Sequence, residues 1–409
     1  MDVVKAVQSP TVNDELGDTR AKRWRNFIAF WLIGLCNNYG YVVMLSAAHD
    51  ILKEKFSSPD SVETSNDITI ENPRGCNLVS TGAILLADIL PCVIVKLTMP
   101  FLPFHVNVRV AICVIAQVLG FLAVAFGTTP WITILGVVLT SLSSGLGEIT
   151  ILSHSHKYGR SSIAAWSSGT GGAGVAGASS YVGFRLIMST ETTLLVMLVV
   201  PIAEAIAFWV IMTPPNDKTV IKYGLSSQDE IIKVPKKTIR EKIALVPGLM
   251  HYLIPLFLVY LFEYYINQGL HELIQFDGIW LNHAEQYRWY QADYQIGVFI
   301  SRSSASFITF KKIWLMALLQ LINIVIFTTE AIYFYIPNIW IVLVITFWEG
   351  LLGGAAYVNT FYNMVETIPD RDLKDSLGIV SMADSLGIAL AGALALPVHT
   401  AICKLPRPT

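Results

Sequence analysis

Residues 194–269 read as apolar, polar and apolar in turn: LLVMLVVPIAEAIAFWVIMT (194–213), PPNDKTVIKYGLSSQDEIIKVPKKTIREKIALVP (214–247), GLMHYLIPLFLVYLFEYYINQG (248–269). Each flank is about the 20 residues that cross the hydrocarbon of a bilayer. The tract between them carries seven Lys or Arg. Two spans whose shared loop is basic place that loop in the cytosol.

The same alternation organises the rest of the chain. Of its 409 residues 54% are hydrophobic and 14% charged, against roughly a quarter charged in a soluble domain. Residues 1–25, 49–76 and 214–247 hold 29 of the 58 Asp, Glu, Lys and Arg, which leaves the other 322 residues 9% charged. A water-soluble globule is excluded, and a net charge of -2 predicts no nucleic-acid partner. The expected fold is an all-α polytopic membrane protein of eleven spans, near 26–48, 77–98, 109–127, 131–152, 161–184, 191–213, 248–269, 286–305, 313–336, 338–361 and 376–402. Residues 1–25 form a polar N-terminal segment, 26–213 a six-helix bundle, 214–247 a central loop, 248–402 a five-helix bundle and 403–409 a tail.

With the N-terminus in the cytosol, 21 Lys and Arg fall on the cytosolic side and 7 on the other, which fixes that orientation. It puts the acidic loop 49–76 and the C-terminus on the luminal side. Ser46-Ala47-Ala48 resembles a cleavage site, but Asn37-Asn38 breaks the apolar run before it, so the first span is read as uncleaved. A weak internal repeat accompanies the 6+5 layout. Asn37-Asn38 returns as Asn267-Gln268, Gly145-Leu146-Gly147 as Gly350 to Gly354, and Ser168 to Gly172 as Ala383 to Gly387, as in transporters built from two related bundles.

Three enzyme-like motifs lack an essential partner. Gly169-Thr170-Gly171-Gly172-Ala173-Gly174 has the dinucleotide-binding spacing, but no strand precedes it and small residues continue past it, as close helix packing requires. Gly145-Leu146-Gly147-Glu148 approaches an intramembrane aspartyl protease motif, yet no Tyr-Asp pair supplies a second acid. His271-Glu272-Leu273-Ile274 is followed by Gln275 where a zinc protease needs His. No catalytic set, cofactor or metal site is expected. Cys36, Cys76, Cys92, Cys113 and Cys403 show no paired spacing and are read as packing residues.

Function is therefore sought among polar groups within spans, where each is costly unless it faces protein, water or a partner. Acids predominate: Asp88, Glu148, Glu204, Glu263, Asp293, Glu330, Glu349 and Asp384, against Arg302 and the edge residues Lys96 and Arg185. Glu204 and Glu330 have a structural reading. Tyr260, Glu263, Tyr264 and Asn267 recur at helical spacing as one stripe, and Ser141, Ser144 and Glu148 make another. Glu349, Gly353 and Ala356 lead to Tyr357, Asn359 and Thr360, while Ser381, Asp384 and Ser385 cluster. With Asn37, Asn38 and Tyr41 on the first span, these residues outline a central cavity for a small polar substrate. Arg302 is the candidate receptor for an anionic group or the partner of a neighbouring acid, and Glu263 leads the acids that could exchange protons across the membrane.

Longer strings carry a family resemblance. Trp31 to Asn38, Ser46 to Leu52, Ala87 to Pro91, Ser143 to Glu148, Trp166 to Gly174, Ile266 to Leu270, Gln286 to Gln291, Ser301 to Ser304 and Glu349 to Phe361 closely resemble the battenin family of lysosomal membrane proteins, over about Trp24 to Leu396. The resemblance implies a major-facilitator-like fold, a late endosomal or lysosomal membrane, and a role in clearing glycerophosphodiesters, with a link to basic amino acids. The chain departs from the family at three places. Cys403 is followed by six residues, where vertebrate members end in a prenylation motif. No Asn-x-Ser/Thr sequon occurs, and Asp229-Glu230-Ile231-Ile232 only approximates an acidic di-leucine sorting signal. The alternative to transport is a membrane scaffold or regulator of lysosomal pH and trafficking that recruits cytosolic proteins through 214–247.

Overall fold

The computed structural model describes residues 19–56, 74, 81–102, 105–214 and 237–406. The start of the N-terminal segment, most of the loop 49–76 with Cys76, the central loop through residue 236 with Asp229 to Ile232, and 407–409 lie outside the described residues. Within them the chain is helical and has no strand. The helices are α1 (Arg20–Phe56), α2 (Thr81–Thr98), α3 (Val106–Phe126), α4 (Pro130–Ser155), α5 (Arg160–Arg185), α6 (Thr190–Val196), α7 (Val199–Ile206), α8 (Ile239–Ile243), α9 (Val246–Tyr265), α10 (His283–Ser303), α11 (Ile313–Tyr333), α12 (Ile339–Thr367), α13 (Asp370–Val380) and α14 (Met382–Cys403). A π turn extends α7 over Ala207–Ile211 and another extends α9 over Ile266–Leu270.

Eight helical stretches among the described residues are long and apolar enough to cross a membrane, so the chain is a polytopic all-α membrane protein. Ile94, Ile115, Ile202, Leu318, Val344 and other large apolar side chains face outward, while Lys96, Gln117, Glu148, Glu263, Glu349 and Asp384 are buried. Apolar outside and polar within is the inverse of a soluble domain, and suits hydrocarbon as solvent. α5, rich in Gly and Ser, and α10, which carries Arg288, Asp293 and Arg302, pack among the other helices.

Glycines set the closest approaches. A Cβ at Gly34 of α1 would stand 2.6 Å from the Trp166 carbonyl of α5, and one at Gly169 would collide with the Trp31 carbonyl in return. Gly120 and Gly136 join α3 to α4 in the same way. The glycine string 169–174 therefore does what small residues do between membrane helices, and it sits mid-helix with no strand before it.

Four expectations need correction. α1 continues to Phe56, past the expected loop start at 49, since no Pro or Gly interrupts Tyr41 to Phe56. The end of the central loop folds as α8, because Thr238 and Glu241 form a capping box in which each side chain accepts from the other's backbone N–H. The last apolar segment is two helices, α13 and α14, that meet at Ser381.

The fourth concerns cysteine. Cys36, Cys92 and Cys113 are buried free thiols, but Cys403 is in a disulfide. It lies in the last turn of α14, beside a clamp made by Arg74. That guanidinium donates to the carbonyls of Ala331 (2.5 Å) and Ile332 (2.9 Å) at the end of α11, and to Leu405 (3.0 Å) and Pro406 (2.9 Å). Residues more than 250 positions apart meet here, a proximity that linear cysteine spacing does not encode. A thiol held in a disulfide is also closed to lipidation.

Candidate substrate cavity

Eight helices converge on a cavity of about 90 Å³. Four of them bring polar groups to it at whole-turn spacing: Cys92 and Lys96 on α2, Ser144 and Glu148 on α4, Tyr260 and Tyr264 on α9, and Tyr294 and, two turns on, Arg302 on α10. Tyr41 of α1, Thr170 of α5, Tyr357 of α12, and Asp384 and Ser385 of α14 complete the wall. Five tyrosines thus surround the space, and four ionic side chains define its electrostatics.

Three of the four ions form one unit. Lys96, 1% exposed, places its Nζ 2.7 Å from Glu148 Oε2, 3.0 Å from Asp384 Oδ1 and 3.1 Å from Asp384 Oδ2. Both acids keep further donors. Tyr357 donates its hydroxyl to Glu148 (2.7 Å), and Ser385 donates its backbone N–H (2.5 Å) and hydroxyl (3.0 Å) to Asp384. Trp166 of α5 donates to the Tyr357 oxygen at 3.2 Å. Helices from early in the chain are thereby tied to helices from late in it. One ammonium between two carboxylates leaves the unit one negative charge in excess.

Arg302 differs. Its Nη1 donates to Thr170 Oγ1 (2.6 Å) and its Nη2 to the Tyr260 hydroxyl (2.7 Å), while the guanidinium carbon lies 4.2 Å from the centre of the Tyr357 ring. No carboxylate pairs with it among the described residues, and its Nε–H is buried without an acceptor. A guanidinium presented to a cavity by neutral partners retains its full charge for an incoming anion. Glu263 is within electrostatic reach of Arg302 but makes no direct contact with it.

Ten of the residues that outlined a cavity from sequence line it: Asn38, Tyr41, Ser144, Glu148, Tyr260, Tyr264, Arg302, Tyr357, Asp384 and Ser385. Five others lie off it. Asn37 turns to α4 and donates to the Ser144 carbonyl at 3.0 Å. Glu263 accepts from the Tyr294 hydroxyl behind the lining. Asn267 donates to Glu349 Oε1 at 3.1 Å, which places both in a buried seam between the π turn and α12. Asn359 accepts from the Phe310 N–H at 2.7 Å and fastens the approach to α11. The stripe of Tyr260, Glu263, Tyr264 and Asn267 hence divides: Tyr260 and Tyr264 face the cavity, and Glu263 and Asn267 face α10 and α12. Glu330 accepts from the Ile336 N–H at 2.8 Å, a contact within the protein rather than with the cavity.

Lys96 is the functional residue sequence reasoning missed. Its place near the end of an apolar run reads as an edge, where Lys extends to the interface. The available signal was its position one and two turns from Cys92 and Asp88 on the polar face of α2. Tyr294 and Thr170 carried no comparable signal, since each is one polar residue in a helix with several.

Comparison with known proteins supplies the family. The chain matches the CLN3 protein family over residues 28–230 and 222–405. It is 42% identical to battenin of Canis lupus familiaris over 407 residues, which cover 93% of this chain and 92% of that protein. It is 36% identical to protein BTN1 of Chaetomium globosum over 428 residues, covering 92% of this chain and 88% of the fungal protein. Protein BTN1 of Saccharomyces cerevisiae is 32% identical over 411 residues, covering 92% and 94%.

Proposed function

The chain belongs to the CLN3 protein family, and from that premise and the chemistry of its cavity we propose that it is a transporter of the lysosomal and late endosomal membrane. It moves small polar metabolites out of the lumen by alternating access, with glycerophosphodiesters as the leading class. The distribution of basic residues supports a cytosolic N-terminus. The protein binds and releases its ligand without covalent chemistry.

The observation that carries the reading is Arg302, a cavity guanidinium with neutral partners and a buried Nε–H that lacks an acceptor. A phosphodiester anion supplies the acceptor oxygens this group lacks. The Lys96, Glu148 and Asp384 unit, with one negative charge in excess, complements a cationic end such as choline or ethanolamine. Tyrosine, serine and threonine hydroxyls around the cavity suit glycerol hydroxyls. The cavity, at about 90 Å³, is smaller than the roughly 300 Å³ from which ligand pockets start, so a ligand of this class enters when the helices joined by Lys96–Asp384 and Tyr357–Glu148 separate.

The test is uptake of labelled glycerophosphodiesters by purified protein in liposomes, against a panel of other lysosomal metabolites. Arg302→Gln removes charge-assisted hydrogen bonds worth roughly 1.5–3 kcal/mol each and is expected to reduce uptake by about tenfold or more. Arg302→Lys keeps the charge and retains more of it. Protein-free and protein-containing liposomes taking up all of these compounds equally would refute transport, and would leave the scaffold reading, in which deletion within 214–247 abolishes function.

A further inference from the structure

Several buried carboxylates have no part in the binding chemistry above, and one of them has both oxygens buried without a partner. Asp88 of α2 is 0% exposed, and neither of its carboxylate oxygens has a hydrogen-bond partner. Its backbone carbonyl accepts from Ser141 of α4, which fixes the helix but leaves the side chain unmatched. Asp88 lies one turn from Cys92 and two turns from Lys96 on the face of α2 that lines the cavity. It is within electrostatic reach of Tyr41 and Tyr264, both cavity residues, and the Tyr41 hydroxyl is itself buried without a partner.

An ionised carboxylate in such a place needs a cation. The titratable groups on the cavity side of the elements packed against α2 are Tyr41 on α1, Glu148 on α4, Tyr264 near the end of α9 and Asp384 on α14, with Cys92 and Lys96 on α2 itself. The π turn Ile266–Leu270 brings none; of the charged residues of α13, which are Asp370, Arg371, Asp372, Lys374 and Asp375, Lys374 and Asp375 line a separate pocket with Pro100, Arg109 and Lys242, and Asp372 pairs with Lys237. Lys96 is the sole cation in that cavity-side set. It is about 12 Å along the helix and already held by Glu148 and Asp384. A metal ion does not fit, because no group of three His, Cys, Asp or Glu among the described residues could hold one. A ligand ammonium does not fit either, since Asp88 is absent from the cavity wall. A proton needs neither a ligand set nor an opening, and it turns a costly buried charge into a neutral acid.

We propose that Asp88 is the proton-carrying group of this transporter, loaded in the conformation seen here and discharged when the cavity opens. The proposal rests on the transport reading and adds the source of its driving force. Discharge breaks one O–H bond of the Asp88 carboxylic acid. The proton passes to cavity water by way of the Tyr41 side of the wall, and the carboxylate left behind is recharged from the side of higher proton activity. One proton moves per cycle.

The experiment uses purified full-length protein in liposomes with glycerophosphocholine as probe. Exchange of labelled for unlabelled probe at equal pH measures transport without a driving force, and accumulation under a one-unit pH gradient measures coupling. Wild type is expected to exchange and, with one proton per ligand, to accumulate about tenfold. Asp88→Asn, isosteric and permanently neutral, is expected to exchange while its accumulation falls to onefold. Asp88→Glu retains coupling. An infrared carbonyl band of a protonated carboxylic acid, present in wild type at neutral pH and shifted in Asp88→Glu, reads the site directly even where Asp88→Asn folds poorly. Absence of exchange in wild type would sink the transport reading itself. Exchange with gradient-driven accumulation intact in Asp88→Asn, or lost in Glu263→Gln instead, would overturn the assignment of the proton to Asp88.

Discussion

Replacing Lys96 with Met isolates the ionic unit at the heart of the cavity. The side chain is 1% exposed and meets Glu148 at 2.7 Å and Asp384 at 3.0 Å. Removing one member of a buried ion pair costs roughly 3–5 kcal/mol, because the charge left behind is uncompensated. Here two carboxylates lose their common cation, which pushes toward the upper end. Each keeps other donors, Tyr357 for Glu148 and Ser385 for Asp384, which pulls back, so about 4 kcal/mol is expected. In a chain of this length that corresponds to a fall in melting temperature of roughly 5 °C. Thermal unfolding of purified protein in detergent, followed through the fluorescence of its ten tryptophans, measures it. The triple variant Lys96→Met, Glu148→Gln, Asp384→Asn carries no uncompensated charge and is expected to recover most of the loss, since neutral replacements of a buried ionic group are commonly tolerated. A single variant that melts within about 1 °C of wild type, or a triple variant no more stable than the single, would refute the argument that Lys96 serves to compensate the two acids.

Two further outcomes follow from packing and from cysteine chemistry. A Cβ at Gly297 of α10 would stand 2.5 Å from the Phe347 carbonyl of α12, so Gly297→Ala forces the two helices apart and lowers stability by about 1–3 kcal/mol; Gly248→Ala, with nothing within 4 Å, leaves the melting temperature unchanged or raises it. Alkylation of denatured protein without reductant is expected to label Cys36, Cys92 and Cys113 and to spare Cys403 until reductant is added; peptide mapping that finds Cys403 alkylated or prenylated beforehand would contradict the disulfide.

The helical character and the positions of the apolar segments were legible because a bilayer imposes one length and one composition on every crossing element. What was not legible was which side of each helix faces the cavity. Tyr260, Glu263, Tyr264 and Asn267 share one broad stripe by spacing, yet Glu263 and Asn267 turn to α10 and α12. A helical face wide enough for four polar residues borders two neighbours, and periodicity does not say which neighbour takes which residue. Asn359 shows the same limit in another form: it continues the string from Glu349 through Tyr357, but two residues past Tyr357 rotate it by about 200°, away from the cavity and onto Phe310. The Cys403 disulfide and the Arg74 clamp were hidden for a different reason, since both join segments that only the folded chain brings together.

Lys96 shows how the two kinds of information combine. From sequence, acids outnumber bases in the spans, and an excess of buried acid invites the inference that several of them carry protons. The structure divides those acids by partner. Glu148 and Asp384 share the Lys96 ammonium; Glu263 has a tyrosine hydroxyl; Glu349 has an amide; Glu330 caps a turn. Asp88 has none of these. Asp88 thus stands apart as the acid with both carboxylate oxygens buried without a partner, whereas Glu204, Glu263, Asp293 and Glu349 each have one such oxygen, a distinction that residue type alone does not contain. Charge compensation also explains why a cation near the end of α2 is buried at all: without Lys96, Glu148 and Asp384 would face each other with no cation between them.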